Sequence, residues 1–249
     1  MFGSFTFEKI GKIEGGIIDL SLRTYIEEQL NRLGVEVNSA TLEQLCDYIK
    51  ELVKWGRVHN LSGTDSPEEL VDRLVLDSAL VLFHIDFICK FSKLNEPSII
   101  DIGSGNGSPG IVWAICNENI SLKLVEKSRK KFAFLHSLIA ALKLSSRVKV
   151  HNQRIEECCP FTGLNIITCK AFMDIENFLN ITYRFAKTHT YWVLMTTAKL
   201  SQGLSDKFLE KKGIIRVSDL DSSVKILDKN YERNFLNKKV LLLKKAFEN

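Results

Sequence analysis

The stretch SIIDIGSGNGSPG, residues 98–110, decides the fold of this chain. It starts as a short apolar run of the kind found in buried strands. Three glycines follow at alternate positions, Gly103, Gly105 and Gly107, and glycine lets a backbone turn at positive φ and approach a ligand closely. Pro109 suits the first turn of the next helix, because no N–H is needed there. A strand, a glycine loop and a helix N-terminus in this order predict a nucleotide-type site in a doubly wound sheet.

The spacing of these glycines indicates which nucleotide-type cofactor the loop binds. It is G-x-G-x-G, not the G-x-G-x-x-G of dinucleotide sites, and Asp101 stands two residues before the first glycine. This pattern resembles the first motif of class I methyltransferases, which bind S-adenosylmethionine. Such enzymes usually carry an acid at the end of the next strand, where it holds the ribose hydroxyls. Glu126 follows the apolar run 122–125, at the offset expected of one βα unit after Gly103.

Alternating strand and helix patterns fill the chain after residue 97 and predict an α/β fold. We expect a Rossmann-like domain over 93–249, whose seven-stranded sheet is mostly parallel and has one antiparallel strand. The expected strands are 98–102, 121–125, 147–150, 164–169, 191–196, 213–218 and 238–245, with helices at 109–117, 129–142, 174–186 and 203–212.

Helical periodicity dominates the first part of the chain and predicts an N-terminal helical extension, residues 1–92, packed on the sheet domain. Its three helices begin at Asp19 or Ser21, between Asn38 and Thr41, and after a Ser66 cap. Residues 1 to about 19 show no period, and glycines such as Gly11, Gly15 and Gly16 interrupt them.

Composition excludes several classes of protein. The 249 residues are 45% hydrophobic and 26% charged, with a net charge of +4, which permits an acidic partner such as RNA without requiring one. Six cysteines form no C-x-x-C pair, so we expect neither disulfides nor a zinc site, and a reducing cytoplasmic location. No run approaches the roughly 18 apolar residues of a membrane span, and the N-terminus does not resemble a signal peptide.

Six segments in chain order resemble blocks of the bacterial 16S ribosomal RNA methyltransferase G family, also called glucose-inhibited division protein B. Each segment alone is weakly specific, and the Pro-Gly after the glycine loop is more particular than the glycines. The segments are 53–62 (VKWGRVHNLS), 71–78 (VDRLVLDS), 101–110 (DIGSGNGSPG), 130–135 (KKFAFL), 154–157 (RIEE) and 169–172 (CKAF).

The resemblance implies methyl transfer from S-adenosylmethionine to N7 of a guanine in 16S ribosomal RNA, by a cytoplasmic monomer acting on the small ribosomal subunit without a membrane partner. It implies that Lys170 lies near the cofactor and the incoming base, as the catalytic candidate. The cofactor would be bound by Asp101, Gly103, Gly105, Ser108, Glu126, Ile155, Glu156 and Lys170. The RNA would be bound by Arg57, Arg73, Arg129, Lys130, Lys131, Arg154 and Lys199.

Three positions depart from the family pattern. The family has His where this chain has Leu74, Arg where it has Lys170, and Lys-Gly where it has 198–200. Lysine keeps the charge of arginine but loses the planar fork that grips two acceptors. These changes leave the cofactor motif intact and affect residues that the resemblance places near the RNA substrate.

The residues that follow the fourth strand favour attack by a ring nitrogen. N7 of guanine already carries a lone pair and needs placement, not a general base. No Asn/Asp-Pro-Pro-Tyr motif of exocyclic-amine methylation follows Lys170, and Cys158-Cys159-Pro160 reverses the Pro-Cys order of cytosine C5 enzymes. Two alternatives remain: a class I methyltransferase with another substrate, and a noncatalytic RNA-binding or ribosome-assembly factor. Asp101 has two possible hydrogen-bond partners, the backbone of the loop and the methionine amino group of the cofactor, and the sequence does not choose between them.

Overall fold

The structure is a computed structural model that describes residues 15–59, 63–170, 174–217 and 238–246. Its N-terminal part is helical, as predicted, although the first helix begins earlier than expected. The elements are α1 (Gly15–Arg32), α2 (Ser39–His59), α3 (Pro67–Leu70), a π-helical segment (Val71–Leu76) and α4 (Asp77–Ser92). The expected unstructured segment lies outside the described residues up to residue 14.

The rest of the chain forms the predicted seven-stranded sheet, with strand order β3-β2-β1-β4-β5-β7-β6. Every pair from β3 to β5 is parallel, whereas β7 runs antiparallel to both β5 and β6. The strands are β1 (Ser98–Ile102), β2 (Ser121–Val125), β3 (Val148–His151), β4 (Ile166–Lys170), β5 (Tyr191–Thr197), β6 (Ile214–Arg216) and β7 (Lys238–Lys245).

The helices between these strands are α5 (Gly110–Cys116), α6 (Arg129–Ala141), α7 (Ile175–Thr182), α8 (Ala198–Gln202) and α9 (Asp206–Lys211). Two predicted helices were drawn too long. The helix predicted at 174–186 ends at Thr182 and continues as a 3₁₀ turn, and that predicted at 203–212 covers only 206–211; the separate short helix α8, before Gly203, was not predicted. Thr197 caps α8 by accepting the N–H of Leu200, and Gly203 follows its last residue.

Two apolar cores lie on opposite faces of the sheet. One face is covered by side chains of α1, α2, α4, α5 and α6, and the other by α7, α9 and the 3₁₀ turns. Polar contacts also join the N-terminal helices to the glycine-loop region: the Tyr48 hydroxyl donates to the Asn106 carbonyl at 3.1 Å, and the Trp113 indole N–H donates to the Ser78 carbonyl at 2.9 Å. The helical extension therefore packs directly behind the predicted site. A domain boundary at 92/93 remains a prediction.

The π-helical segment was not predicted from sequence. It lies between α3 and α4, where periodicity indicated one continuous helix. Its carbonyls serve side chains from elsewhere in the fold: that of Leu74 accepts from Ser78 and Ser108, and that of Arg73 accepts from Lys170. π-Bulges are frequent at functional sites, and this one lies against the glycine loop. No helix in the described part of the chain is long and apolar enough to cross a membrane.

Candidate functional site

The glycine loop joins β1 to α5 at the carboxyl end of the sheet. Gly103, Gly105 and Gly107 have φ of +73°, +55° and +94°, a region that side chains enter only at a cost. A Cβ on Gly107 would lie 2.9 Å from Cγ1 of Ile111, whereas a Cβ on Gly103 would meet no atom within 4 Å. Gly107 is thus required by packing, and the space above Gly103 is open for a ligand.

Glu126 fixes the position of this loop from the end of β2. Its carboxylate accepts the backbone N–H of Gly105 at 2.9 Å and that of Ser128 at 2.8 Å. The residue is only 5% exposed. A carboxylate offers about four lone-pair sites, so two backbone donors leave capacity for ribose hydroxyls. Glu126 therefore holds the loop, and it also lines the cavity beside it.

Asp101 is buried beneath the loop, 1% exposed. Its Oδ2 accepts the N–H of Gly110 at 3.3 Å, and its Oδ1 is buried without a hydrogen-bond partner among the described residues. Burial raises the pKa of Asp101 to about 7, and the nearby Gly110 N–H and Lys170 act in the opposite direction. Asp101 thus accepts a backbone N–H at the start of α5, and its second oxygen remains for a donor.

A cavity of about 270 Å³ opens beside the loop. Four predicted cofactor residues line it: Gly103, Glu126, Ile155 and Glu156. Its wall also contains Lys127, Lys131 and Arg154, the last two of which were predicted to contact RNA. Ile155 is buried and Glu156 is exposed, so the cavity has an apolar floor and a charged rim.

Lys170 lies at the end of β4, on the opposite side of the glycine loop from this cavity. Its ammonium donates to the Arg73 carbonyl at 2.8 Å and to the Ser108 hydroxyl at 3.2 Å, and it lies 3.5 Å from the Asp77 carboxylate. Ser108 is 5% exposed, and its hydroxyl also contacts that of Ser78 at 2.9 Å. Lys170 is therefore bound to the helical extension and the loop together, and is not a solvated lysine.

The remaining predicted RNA-binding residues are spread along the carboxyl edge. Arg129, Lys130 and Lys199 are exposed, and Arg73 is half-exposed and paired with Glu69 at 3.1 Å. The side chain of Arg57 lies outside the described residues. The structure thus brings Lys131 and Arg154 together at the cavity and places Arg73 and Lys199 toward the other side of Lys170.

Sequence reasoning missed Asp77 and Ser78 as site residues. Asp77 is 4% exposed and pairs with Lys170, and Ser78 bonds Ser108. The signal was present, because both belong to the segment 71–78 that resembles a family block. Nothing in the segment itself shows that it reaches the end of β4, far along the chain.

These features fit S-adenosylmethionine. The open space above Gly103 suits close approach of a ligand, Glu126 can accept from a ribose, and the unpartnered Asp101 oxygen suits an ammonium donor. The seven-stranded sheet, with β7 antiparallel between β5 and β6, agrees with the sheet predicted from the resemblance to class I methyltransferases. The METTL16 methyltransferase domain supports the fold, with a TM-score of 0.53 at 13% identity over 91% of this chain and 92% of that domain. The fold and the site define an S-adenosylmethionine-dependent methyltransferase.

The sequence comparisons define the family. A sequence profile described as rRNA small subunit methyltransferase G matches residues 41–235. Proteins named "Ribosomal RNA small subunit methyltransferase G" are similar over much of the chain: that of Pseudomonas putida is 33% identical over 164 residues (66% of this chain, 72% of that protein), and that of Dichelobacter nodosus is 36% identical over 173 residues (68% and 78%). The chain belongs to the rRNA small subunit methyltransferase G family.

Proposed function

We propose that this protein transfers a methyl group from S-adenosylmethionine to N7 of a guanine in the 16S RNA of the small ribosomal subunit. The observation that carries the proposal is the cavity of about 270 Å³ between the glycine loop, Glu126 and Ile155, in a chain whose relatives are named small-subunit ribosomal RNA methyltransferases. Such a substrate implies work in the cytoplasm.

The cofactor supplies an electrophilic methyl group on a sulfonium. The N7 lone pair of guanine forms the new N–C bond as the C–S bond breaks, and no proton leaves N7 in this step. The protein must therefore bind and orient the base and the methyl donor and exclude water. Among the described residues at the end of β4, the Lys170 ammonium contacts three acceptors, which suits a positioning role. Cys169 beside it is 3% exposed and packs in the core on the other face, so it does not serve as a nucleophile.

The charge distribution supports a shaped particle as substrate in preference to a naked strand. A net charge of +4 is small, and each phosphate contacted adds only about 0.7–0.9 to the slope of log affinity against log salt. Among the described residues, the exposed cations Arg129, Lys130 and Lys199 are spread along the carboxyl edge and do not form one compact patch. We expect methyl transfer to 30S-derived particles to exceed that to a short synthetic stem-loop. Equal rates on both would contradict this expectation.

Nucleoside mass spectrometry of 16S RNA from a strain lacking this gene tests the proposal in cells. The expected result is loss of one 7-methylguanosine, restored by the wild-type gene and not by Glu126→Ala. Loss of a different modified nucleoside would indicate another RNA target. An unchanged RNA would indicate a protein or small-molecule substrate, or an assembly role without catalysis.

A further inference from the structure

A short segment after β3, residues 155–158, forms part of the wall of the cavity beside the glycine loop. We call it the β3 turn, since three of its residues form a 3₁₀ turn. A guanidinium from elsewhere in the chain holds its backbone: Nη2 of Arg184 donates to three of its four carbonyls, those of Ile155, Glu156 and Cys158, at 2.7, 2.8 and 3.1 Å. We propose that Arg184 is a positioning residue for the cofactor, which holds the β3 turn where the adenosine part of S-adenosylmethionine needs it; this inference rests on the proposed function.

The backbone of the β3 turn offers carbonyls to such a donor. The last carbonyls of a helical segment have no partner within it, and the hydrogen bonds of a 3₁₀ turn have poorer geometry than those of an α-helix. Here the N–H of Cys158 donates to the Ile155 carbonyl at 3.3 Å. A cation is favourable at this end of a helical segment, and Arg184 supplies both the charge and the N–H donors. The guanidinium therefore completes hydrogen bonding that the turn does not supply by itself.

The guanidinium of Arg184 is itself held in place. It extends from the 3₁₀ turn Tyr183–Phe185 that follows α7, and its Cζ atom lies 4.6 Å from the centroid of the Phe185 ring. Phe185 is buried, and Phe161 packs against it with ring centroids 5.9 Å apart. A cation over an aromatic ring is attracted to it, which restricts the position of the charged group. Arg184 does not line the cavity, so it acts on a ligand through the β3 turn.

The strand order indicates which part of the cofactor the β3 turn meets. The strands β1, β2 and β3 are neighbours in the sheet, about 4.8 Å apart, and they are followed by the glycine loop, Glu126 and the β3 turn respectively. With Glu126 on the ribose, the adenine extends toward the β3 turn, and the methionine part lies on the side of Asp101. Ile155 is buried and apolar and lines the cavity, which suits one face of the adenine ring. A displaced β3 turn should therefore weaken binding of the adenosine part.

An apolar side chain in place of the guanidinium tests the inference. Arg184→Met removes the charge and the donors, and Lys187→Met is the matched control, because Lys187 is an exposed cation three residues further along and does not line the cavity. We expect Arg184→Met to raise the Kd for S-adenosylmethionine, measured by calorimetry, and the KM for the cofactor at least fivefold, while kcat at saturating cofactor stays within twofold. The affinity for 5′-methylthioadenosine, which has the adenosine without the amino acid, should fall by the same factor. The control should bind as the wild type does.

A conservative variant tests whether the charge and donors are what matter. All three contacts come from one nitrogen, so the planar fork of arginine is not needed, and the ammonium of lysine carries three donors. We expect Arg184→Lys to bind the cofactor within threefold of wild type. Binding as weak as that of Arg184→Met would contradict the inference, and so would an Arg184→Met protein that binds as tightly as the wild type.

The reactivity of Cys158 reports the position of the β3 turn without any activity measurement. Its thiol is 2% exposed, whereas Cys159 is exposed, so Cys159→Ser is the background. Burial raises the pKa of Cys158 and Arg184 acts against this rise. Loss of Arg184 would therefore reduce the reactive thiolate, and faster alkylation then reports greater access.

The alkylation experiment compares Arg184→Met with the parent in this background, with iodoacetamide as the reagent and peptide mass spectrometry to locate the label. We expect at least fivefold faster labelling of Cys158 in Arg184→Met, slowed again by saturating S-adenosylmethionine. An unchanged rate would mean that the turn is held without Arg184, and the inference would be wrong. If the wild type binds no S-adenosylmethionine, the proposed function itself fails, a result visible without any variant.

Discussion

The carboxylate of Glu126 accepts the backbone N–H of Gly105 at 2.9 Å, which ties the end of β2 to the middle of the glycine loop. The acid expected to bind the ribose is therefore also a structural support of the loop. Its other oxygen accepts the N–H of Ser128 at the start of α6. One side chain thus links ligand binding to the position of two backbone segments.

We expect Glu126→Ala to weaken cofactor binding by about 1.5–3 kcal/mol, the scale of hydrogen bonds to a charged group. It should also lower the thermal midpoint, because two backbone donors lose their acceptor. Glu126→Gln retains one acceptor oxygen, so its cofactor affinity and its thermal midpoint should both lie between those of the wild type and Glu126→Ala. Calorimetry and thermal unfolding measure these effects, with Glu118→Ala, at an exposed position, as the control. Unchanged affinity with reduced stability would make Glu126 structural only.

A methyl group on Gly103 should block the cofactor. The position has a φ of +73° and open space around a Cβ, and Gly163 has a φ of +69° and equally open space. Gly103→Ala and Gly163→Ala should therefore cost similar stability, about 1–2 kcal/mol from left-handed strain. Only Gly103→Ala should reduce cofactor affinity, by tenfold or more. Equal affinity in the two variants would remove Gly103 from the site.

The affinity for the cofactor should depend on the ionisation of Asp101. Burial raises its pKa to about 7, so the carboxyl becomes increasingly protonated below that pH. If the ionised oxygen binds the methionine ammonium, affinity should fall as the pH drops from 7 to 5.5, by as much as tenfold per unit. Asp101→Asn should bind more weakly at pH 7 and lose this dependence. A wild type whose affinity is constant across the range would leave Asp101 with its Gly110 contact alone.

The same shift predicts a stability effect of defined sign. A carboxyl whose pKa is raised in the folded state stays protonated between about pH 4 and 7, while the unfolded chain releases the proton. Stability of the free protein should therefore fall as the pH rises through this window, relative to Asp101→Asn. The difference in unfolding free energy between the wild type and Asp101→Asn, measured across this pH range, reports the contribution of Asp101 alone, because the other titrating residues are the same in both.

Lys170→Ala should lower turnover more than cofactor affinity. The ammonium joins the Arg73 carbonyl, the Ser108 hydroxyl and Asp77, so its loss disturbs the junction between the cofactor loop and α4. Lys170→Arg restores the charge and the donors, and we expect it to recover much of the turnover. Measuring kcat and the cofactor Kd separately for each variant shows whether turnover falls more than affinity. Full turnover in Lys170→Ala would exclude a role of Lys170 in the reaction.

The sequence predicted the sheet, and it predicted that Glu126 and the residues after β3 lie beside the glycine loop, because both depend on local patterns. The glycine loop, the acid after β2 and the residues after β3 each follow a strand, and parallel strands present their carboxyl ends at one edge. The contacts of Lys170 were not predictable in this way. They depend on a π-helical segment and on residues about 100 positions away, which periodicity cannot reveal. Lys131 and Arg154 line the cavity beside Glu126, and their assignment to RNA contact stays a prediction.

The most direct test of the account is methyl transfer by the purified protein to 30S-derived particles with S-adenosylmethionine labelled in its methyl group. The RNA is then digested to nucleosides and the label is located by mass spectrometry. The account predicts label in 7-methylguanosine at one site of 16S RNA, absent with Gly103→Ala and present with Gly163→Ala. Label in any other nucleoside would contradict it. So would the absence of label in particles to which the folded, cofactor-bound wild-type protein has been shown to bind.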